Sequence, residues 1–382
     1  MTTTRASGGR DVRFACVEGD WSDGGFRYAC PRCGGVVVVE AQPLAAEPPV
    51  DRSAPGVWRR AALLPRVTAH VSLGEGETPL LDGPDGVRLK VESANPTLSF
   101  KDRAMALAVS FALDGGYAGL VVASTGNAAA SASAYAARAG LRCRVIVGSE
   151  SNAAAKLRAC RAYGAEVTEV TGDYSAAYAE ALALEGEGWL NVSTTFRNPV
   201  PGEAYRGVAF ELVEQLGRVP AVVCVPIGAG PLLRGIERGF ADLQALRGGA
   251  VPRLIGVQAQ AVSPIVRAWE ASPEDPAIWR STLGDAGARW HTTSATAIAD
   301  ALRGYERQGE LTLEAIRATG GAAVAVDEEG IADATRRLRA DGLWVEPSSA
   351  IALVAAEWEA ERADGPVVAV LTGHGIKVPD AD

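Results

Sequence analysis

The sequence predicts an α/β protein in which helices cover both faces of parallel sheets. Short β-branched runs (Gly119 to Ala123, Cys143 to Val147, Ala221 to Val225, Arg253 to Val257 and Val367 to Leu371) alternate with alanine-rich stretches of helical length. Strands buried on both faces need continuous apolar runs, and a parallel pair needs a long crossover between its strands, so this alternation reads as strand-helix-strand units. The chain has 382 residues, 48% hydrophobic and 22% charged, enough for one large or two medium domains with a sizeable core. The loops that directly follow three of these runs carry hydroxyl and glycine residues, and ligands collect at the carboxyl ends of parallel strands.

Composition narrows the function. The net charge is -9, and the basic residues are scattered apart from short clusters such as Arg336-Arg337-Leu338-Arg339. A nucleic-acid partner is not expected, since backbone binding needs a concentrated basic patch. No run of about 18 apolar residues is present and the amino terminus lacks a signal-peptide core, so no membrane partner and a cytoplasmic location are expected. The three histidines, His70, His291 and His374, lie far apart in sequence, which argues against a histidine-rich metal site or a hydrolytic triad.

Residues 1–45 differ from the rest. Cys16 and the run Cys30-Pro31-Arg32-Cys33-Gly34-Gly35 look like half a zinc ribbon, with Gly19 where a fourth ligand would fall. A closed zinc site needs four ligands, so Cys16, Cys30 and Cys33 favour a small β-rich flap whose cysteines are relics over an occupied metal site. Cys143, Cys160 and Cys224 lie in apolar or helical surroundings and read as reduced, buried thiols. A proline-rich linker with Pro43, Pro48, Pro49 and Pro55 follows the flap.

The run Asn95 to Met105, NPTLSFKDRAM, places Lys101 between a turn-forming tetrapeptide and an alanine-rich helical stretch. An ordinary ammonium, with a pKa of about 10, is a poor nucleophile, so lysine chemistry requires crowding or burial. Lys101 reads as a Schiff-base lysine. Ser124-Thr125-Gly126-Asn127 follows one strand and opens a helix at Ala128, where hydroxyls and free amides form a carboxylate site. The loop Gly228-Ala229-Gly230-Pro231-Leu232 follows another strand and suits a phosphate; it has neither the GK[ST] of a Walker loop nor a full GxGxxG. Thr372, after the last strand, offers a hydroxyl to a heterocyclic nitrogen.

Together these motifs, with LGEGETPL at Leu73 to Leu80, EPSSA at Glu346 to Ala350 and LTGHGIK at Leu371 to Lys377, resemble the threonine synthase family in order and over nearly the whole chain from about residue 70. The resemblance implies a fold type II pyridoxal 5'-phosphate enzyme, tryptophan synthase β-like. It would have two three-layer α/β domains with parallel-rich sheets and a degenerate zinc-ribbon-like extension. It implies a large domain of 46–115 and 204–382, a small mobile domain of 116–203, cofactor between them, and a homodimer. Lys101 would hold the cofactor and move protons at Cα, Asn127 would contact the ring hydroxyl oxygen, Gly228 to Leu232 would bind the phosphate, and Thr372 would meet the ring nitrogen. Ser124, Thr125, Gly126 and Asn127 would take the substrate carboxylate. The implied reaction converts phosphohomoserine to threonine and phosphate.

Three departures from the family pattern concern substrate rather than cofactor. Pro201 stands where NPxRxEGQKT has the arginine that grips the leaving phosphate, a contact worth about 1.5 kcal/mol or more. Arg197 or Arg206 is then expected to supply the charge. Ala297 to Tyr305 replaces a glycine-proline-tryptophan segment, and Ala104 replaces a common glycine. The sequence therefore also admits β-elimination or β-replacement on phosphoserine, phosphothreonine or a related amino acid, as in a cysteate synthase-like or specialised biosynthetic enzyme. A non-catalytic cofactor- or metabolite-binding protein is the reading from another class.

Overall fold

The computed structural model describes residues 9–19, 21–149, 154–172 and 174–377. The chain opens with β1 (Val12–Cys16), β2 (Ser22–Asp23) and β3 (Val37–Ala41), an antiparallel sheet in the order β2-β1-β3 with Phe14 opposite Val39. β1 buries Phe14, Ala15 and Cys16 in succession and alternation along β3 buries Val37 and Val39, while Cys16, Cys30 and Cys33 come together at the strand ends and turns. No helix or strand falls in the proline-rich stretch 43–55. β4 (Leu80–Asp82) and β5 (Arg88–Val91) pair antiparallel, and α1 spans Lys101–Asp114. Then follow β6 (Gly119–Ala123), α2 (Asn127–Ala139), β7 (Arg142–Gly148), α3 (Ala154–Ala162), β8 (Glu166–Val170), α4 (Tyr174–Leu184) and β9 (Trp189–Asn191). The short α5 (Pro199–Gly202) and α6 (Gly207–Leu216) lead to β10 (Val222–Pro226), α7 (Pro231–Arg247), β11 (Arg253–Ala259), α8 (Pro264–Ala271) and α9 (Pro276–Leu283). The chain closes with α10 (Glu306–Ala318), β12 (Ala322–Val326), α11 (Glu328–Ala340), α12 (Pro347–Ala360) and β13 (Val367–Leu371).

Two compact units result, one of residues 9–77 with 95–207 and one of 78–94 with 208–377. In the first, a parallel sheet runs β8-β7-β6-β9, and its core joins Val121, Ala123 and Ile146 to Ala177, Ala181, Leu184 and Trp189. Alanine and serine dominate α2, and α1 carries Ala104, Ala106, Ala108, Ser110 and Ala112, small side chains that let the two helices pack closely. In the second unit the sheet runs β12-β11-β10-β13-β5-β4, parallel except at β4, with Leu89, Cys224, Ile255, Val257 and Leu371 packed against Ile331, Leu338, Ile351 and Leu353 of α11 and α12.

The compact division differs from the expected 46–115 plus 204–382 layout. Residues 46–77 and 95–115 belong with the four-stranded sheet, because α1 packs on α2 and α5, whereas 78–94 supplies β4 and β5 to the six-stranded one. The alternating strands and helices, the parallel-rich sheets and the burial of Cys143, Cys160 and Cys224 outside any disulfide agree with the sequence reading. Among the described residues no helix is long and apolar enough to cross a membrane.

Candidate active site

Lys101 is the first residue of α1, at the loop-to-helix junction its sequence implies. The turn before it closes through Leu98 N–H donating to the Asn95 carbonyl at 2.7 Å, with Leu98 at φ +65°. Lys101 Nζ lies 4.7 Å from the centroid of the Phe100 ring, which itself packs on Tyr205 at 5.3 Å. The next residue holds the junction still. Asp102 is fully buried and accepts hydrogen bonds from Thr97 N–H, Thr97 Oγ1 and Ser131 Oγ, each at 2.5 Å. Three short bonds to one carboxyl group fix the loop 97–101 against α2. Ser131 stands one turn beyond Asn127, so Asp102 ties the lysine helix to the helix that Asn127 begins.

Asn127 is the first residue of α2, one position earlier than the expected start. Ser124, Thr125, Gly126 and Asn127 are half-buried in the loop after β6, with Gly126 N–H donating to Ser124 Oγ at 3.1 Å. The first amides of a helix have no partners inside it, and they face the end where a carboxylate is favoured. Ser99 Oγ, two residues before Lys101, is buried without a hydrogen-bond partner, although an unsatisfied buried hydroxyl costs about 1–3 kcal/mol.

The second unit carries the other expected contacts. β10 and β13 are adjacent and parallel, with Val222, Val223 and Cys224 opposite Val367, Val368 and Ala369. The loop 227–230 and Thr372 therefore leave the same end of neighbouring strands. Gly230 caps the 17-residue α7 at φ +90°, and a Cβ there would come within 2.3 Å of Thr312 Cγ2. Only glycine meets both demands, and the dipole of α7 favours an anion at this loop. Thr312 Oγ1 donates to the Ala229 carbonyl at 2.6 Å and keeps the loop in register. Thr372 is buried, its Oγ1 2.9 Å from Ser349 Oγ, and Ser349 in turn accepts from Gly373 N–H at 2.7 Å.

Both arginines expected to grip a leaving phosphate sit in ion pairs. Arg197 forks onto Glu185 at 3.0 and 2.5 Å, and its guanidinium lies 5.2 Å from the Tyr28 ring. Arg206 is buried and pairs with Glu203 at 2.8 Å. Pro201 is buried in α5. The departing segment 297–305 lies beside the glycine loop: a Cβ on Gly228 would be 3.3 Å from Asp300 Cβ, and Asp300 accepts from Tyr305 OH at 2.7 Å and from Leu302 N–H at 2.9 Å. Sequence reasoning missed Asp102, Ser131, Ser349 and Asp300 as parts of the site. Asp102 and Ser349 lie inside the recognised motifs and Asp300 inside the departing segment 297–305, but Ser131 has no local signal.

In the first unit, then, Lys101 and Ser124 to Asn127 are carried on two packed helix starts; in the second, Gly228 to Leu232 and Thr372 share one sheet end. A comparison with known proteins gives this arrangement a context. Residues 71–373 match the family model described as pyridoxal-phosphate dependent enzyme. The chain is 34% identical over 377 residues to the threonine synthase of Methanocaldococcus jannaschii, covering 93% of this chain and 89% of that one. It is 34% identical over 325 residues to the threonine synthase of Bacillus sp. (strain ULM1), covering 82% and 86%. Among solved structures it resembles the T.th. threonine deaminase, with a TM-score of 0.62 and 25% identity over 80% of this chain and 94% of that one. O-ureido-L-serine synthase has the same fold, with a TM-score of 0.63 and 22% identity over 79% and 90%.

Proposed function

Because the chain belongs to the pyridoxal-phosphate dependent enzyme family, on its threonine synthase branch, we propose that this lyase acts on a small phosphorylated amino acid, converting phosphohomoserine and water to threonine and phosphate. The observation that carries the reading is the clamped Lys101 junction beside the amide-rich start of α2, within relatives named threonine synthase that align over most of the chain. The residues fit the cofactor. Ser99 Oγ is an orphaned buried hydroxyl beside Lys101, and Gly228 and Gly230 leave the backbone bare on either side of Ala229 just before the start of α7. In this reading Lys101 holds the cofactor, Asn127 meets its ring hydroxyl oxygen, Gly228 to Leu232 bind its phosphate and Thr372 meets its ring nitrogen. When bound, the cofactor supplies an electron sink for charge that develops at Cα.

The remaining chemistry falls to this chain's residues. Ser124, Thr125 and the amides of Gly126 and Asn127 hold the substrate carboxylate and so fix which bond at Cα faces Lys101 Nζ. That amine takes the Cα proton, serves the proton changes at the neighbouring carbons, and is kept on one line of approach by the Asp102 clamp. Thr372 would offer a neutral hydroxyl where a carboxylate would hold the ring nitrogen in its protonated form, which suits elimination and replacement over transamination.

A second reading has its own support. With Pro201 in the grip position and Arg197 and Arg206 each paired with a glutamate, the charge that would hold a phosphate on Cγ is partly spent. A leaving group on Cβ, as in phosphoserine or phosphothreonine, does not depend on that grip. Steady-state phosphate release separates the two. Turnover of phosphohomoserine above the other two supports the first reading, and turnover of only phosphoserine and phosphothreonine rejects it in favour of the second.

A further inference from the structure

We propose that Cys16, Cys30 and Cys33 form a three-thiolate site for a zinc-class divalent ion, with the fourth coordination position open to solvent or to a small exogenous ligand. The sulfurs of all three lie within 4.8 Å of one another, and Cys16 Sγ is 3.5 Å from Cys33 Sγ. Zinc–sulfur bonds of about 2.3 Å place tetrahedral sulfurs roughly 3.8 Å apart, so small side-chain rotations bring the set to ligand distance.

The backbone is shaped for the sulfurs. Arg32 N–H donates to Cys30 Sγ at 3.4 Å and Gly35 N–H to Cys33 Sγ at 3.3 Å, contacts that stabilise thiolate charge. Two tight turns present the ligands. Gly19 N–H donates to the Cys16 carbonyl and Gly34 N–H to the Cys30 carbonyl, each at 2.9 Å, while Cys30 N–H donates back to Gly35 at 2.9 Å. A Cβ on Gly35 would come to 3.1 Å from Cys33 Sγ and 4.0 Å from both Cys16 Sγ and Glu18 Cγ, so glycine leaves room beside the sulfurs on the flank that the Glu18 side chain also approaches. Cys16 and Cys30 are buried and Cys33 is exposed, which places the missing ligand's vertex on the solvent side. Gly19, where a fourth cysteine would stand, has no side chain to close it. Three thiolates and a dication leave one negative charge, which a neutral fourth ligand such as water or imidazole does not increase.

The sequence reading took these cysteines as relics, and the three-dimensional cluster argues otherwise. A three-stranded sheet with a two-residue edge strand has little core of its own, and a clamp at its turns supplies what packing does not. The clamp reaches beyond the flap. Tyr28, two residues before Cys30, accepts a hydrogen bond from Asn191 N–H of β9 at 2.9 Å, and Phe26 packs on Phe111 of α1 at 5.2 Å.

The test uses the full chain with its cofactor, purified under reducing, anaerobic conditions, stripped with a chelator and titrated with cobalt(II). We expect sulfur-to-cobalt charge-transfer bands that saturate at about one ion per chain, with affinity falling at least roughly tenfold in each of Cys16→Ser, Cys30→Ser and Cys33→Ser and unchanged in Cys160→Ser. Imidazole shifts the bands if the fourth position is open, and the bound ion protects Cys33 from alkylation. The proposal is overturned if cobalt gives no thiolate bands, if the bands survive all three serine variants, if imidazole leaves them unmoved, or if mass spectrometry finds a Cys16–Cys33 disulfide in the native protein.

Discussion

Gly230→Ala tests whether the glycine loop is built as described. The substitution meets two separate penalties. At φ +90° an L residue is strained by about 1–2 kcal/mol. The new methyl would also lie 2.3 Å from Thr312 Cγ2, 2.5 Å from Oγ1 and 2.9 Å from Cβ, and overpacking of this kind costs about 1–3 kcal/mol. Together they predict a loss of roughly 2–5 kcal/mol by urea unfolding, with weaker cofactor binding because the loop backbone moves. The two parts are separable. Thr312→Ala removes the two closest atoms and leaves Cβ at 2.9 Å, so in that background Gly230→Ala should cost less, the backbone strain of about 1–2 kcal/mol plus the remaining Cβ contact, and the double-mutant cycle should show a coupling of about 1–2 kcal/mol. Thr312→Ala alone loses its hydrogen bond to the Ala229 carbonyl, about 1 kcal/mol, a term the cycle subtracts. An equal cost of Gly230→Ala in both backgrounds would refute the packing argument.

Other perturbations follow from the buried polar groups. Lys90 is wholly buried and donates to Glu211 at 2.6 Å, to the Thr78 carbonyl at 2.8 Å and to Gln215 at 3.0 Å, so Lys90→Met should cost about 3–5 kcal/mol by urea unfolding, with most of it recovered in Lys90→Met/Glu211→Leu. Burial raises the Glu75 carboxyl above its ordinary value, against hydrogen bonds from Tyr135 OH at 2.7 Å and the Leu73 N–H at 3.0 Å. Between the unfolded and folded pKa values the folded chain holds the proton and the unfolded chain does not. This group's stability contribution therefore grows as pH falls through the raised value and is complete below about 4.3; urea midpoints against pH should show that slope in the wild type and not in Glu75→Gln. Ser349→Ala removes the partner of Thr372 and should weaken cofactor binding about tenfold in equilibrium dialysis, the equivalent of one hydrogen bond of about 1.4 kcal/mol, with Thr372→Ala adding little on top.

Much of the fold was legible because its signals are local. The runs Gly119–Ala123 and Val367–Leu371 are strands at those bounds, since all five residues in each are buried and continuous β-branched runs suit strands covered on both faces. β8, with the sequence EVTEV, was hidden by its polarity: it is an edge strand, largely exposed. β12, AAVAV, was hidden by alanines that read as helix. Lys101, Ser124 to Asn127, Gly228 to Leu232 and Thr372 announced themselves by residue type beside a strand end or helix start. Their supports did not. The Asp102 to Ser131 bond spans 29 residues and the Ser349 to Thr372 contact 23, so each depends on tertiary packing that no local pattern encodes. The Arg197–Glu185 pair spans 12 residues, and for the same reason an arginine that looked available to substrate in the sequence is engaged in the fold.

The central claim is that Lys101 holds the cofactor. Borohydride reduction of the protein loaded with pyridoxal phosphate, followed by peptide mass spectrometry, reads that bond directly. The account predicts one phosphopyridoxyl group per chain on the peptide containing Lys101, and in Lys101→Ala no labelled peptide and no visible absorbance band. Label on Lys90, Lys156 or Lys377 instead, or a band that persists in Lys101→Ala, would contradict it.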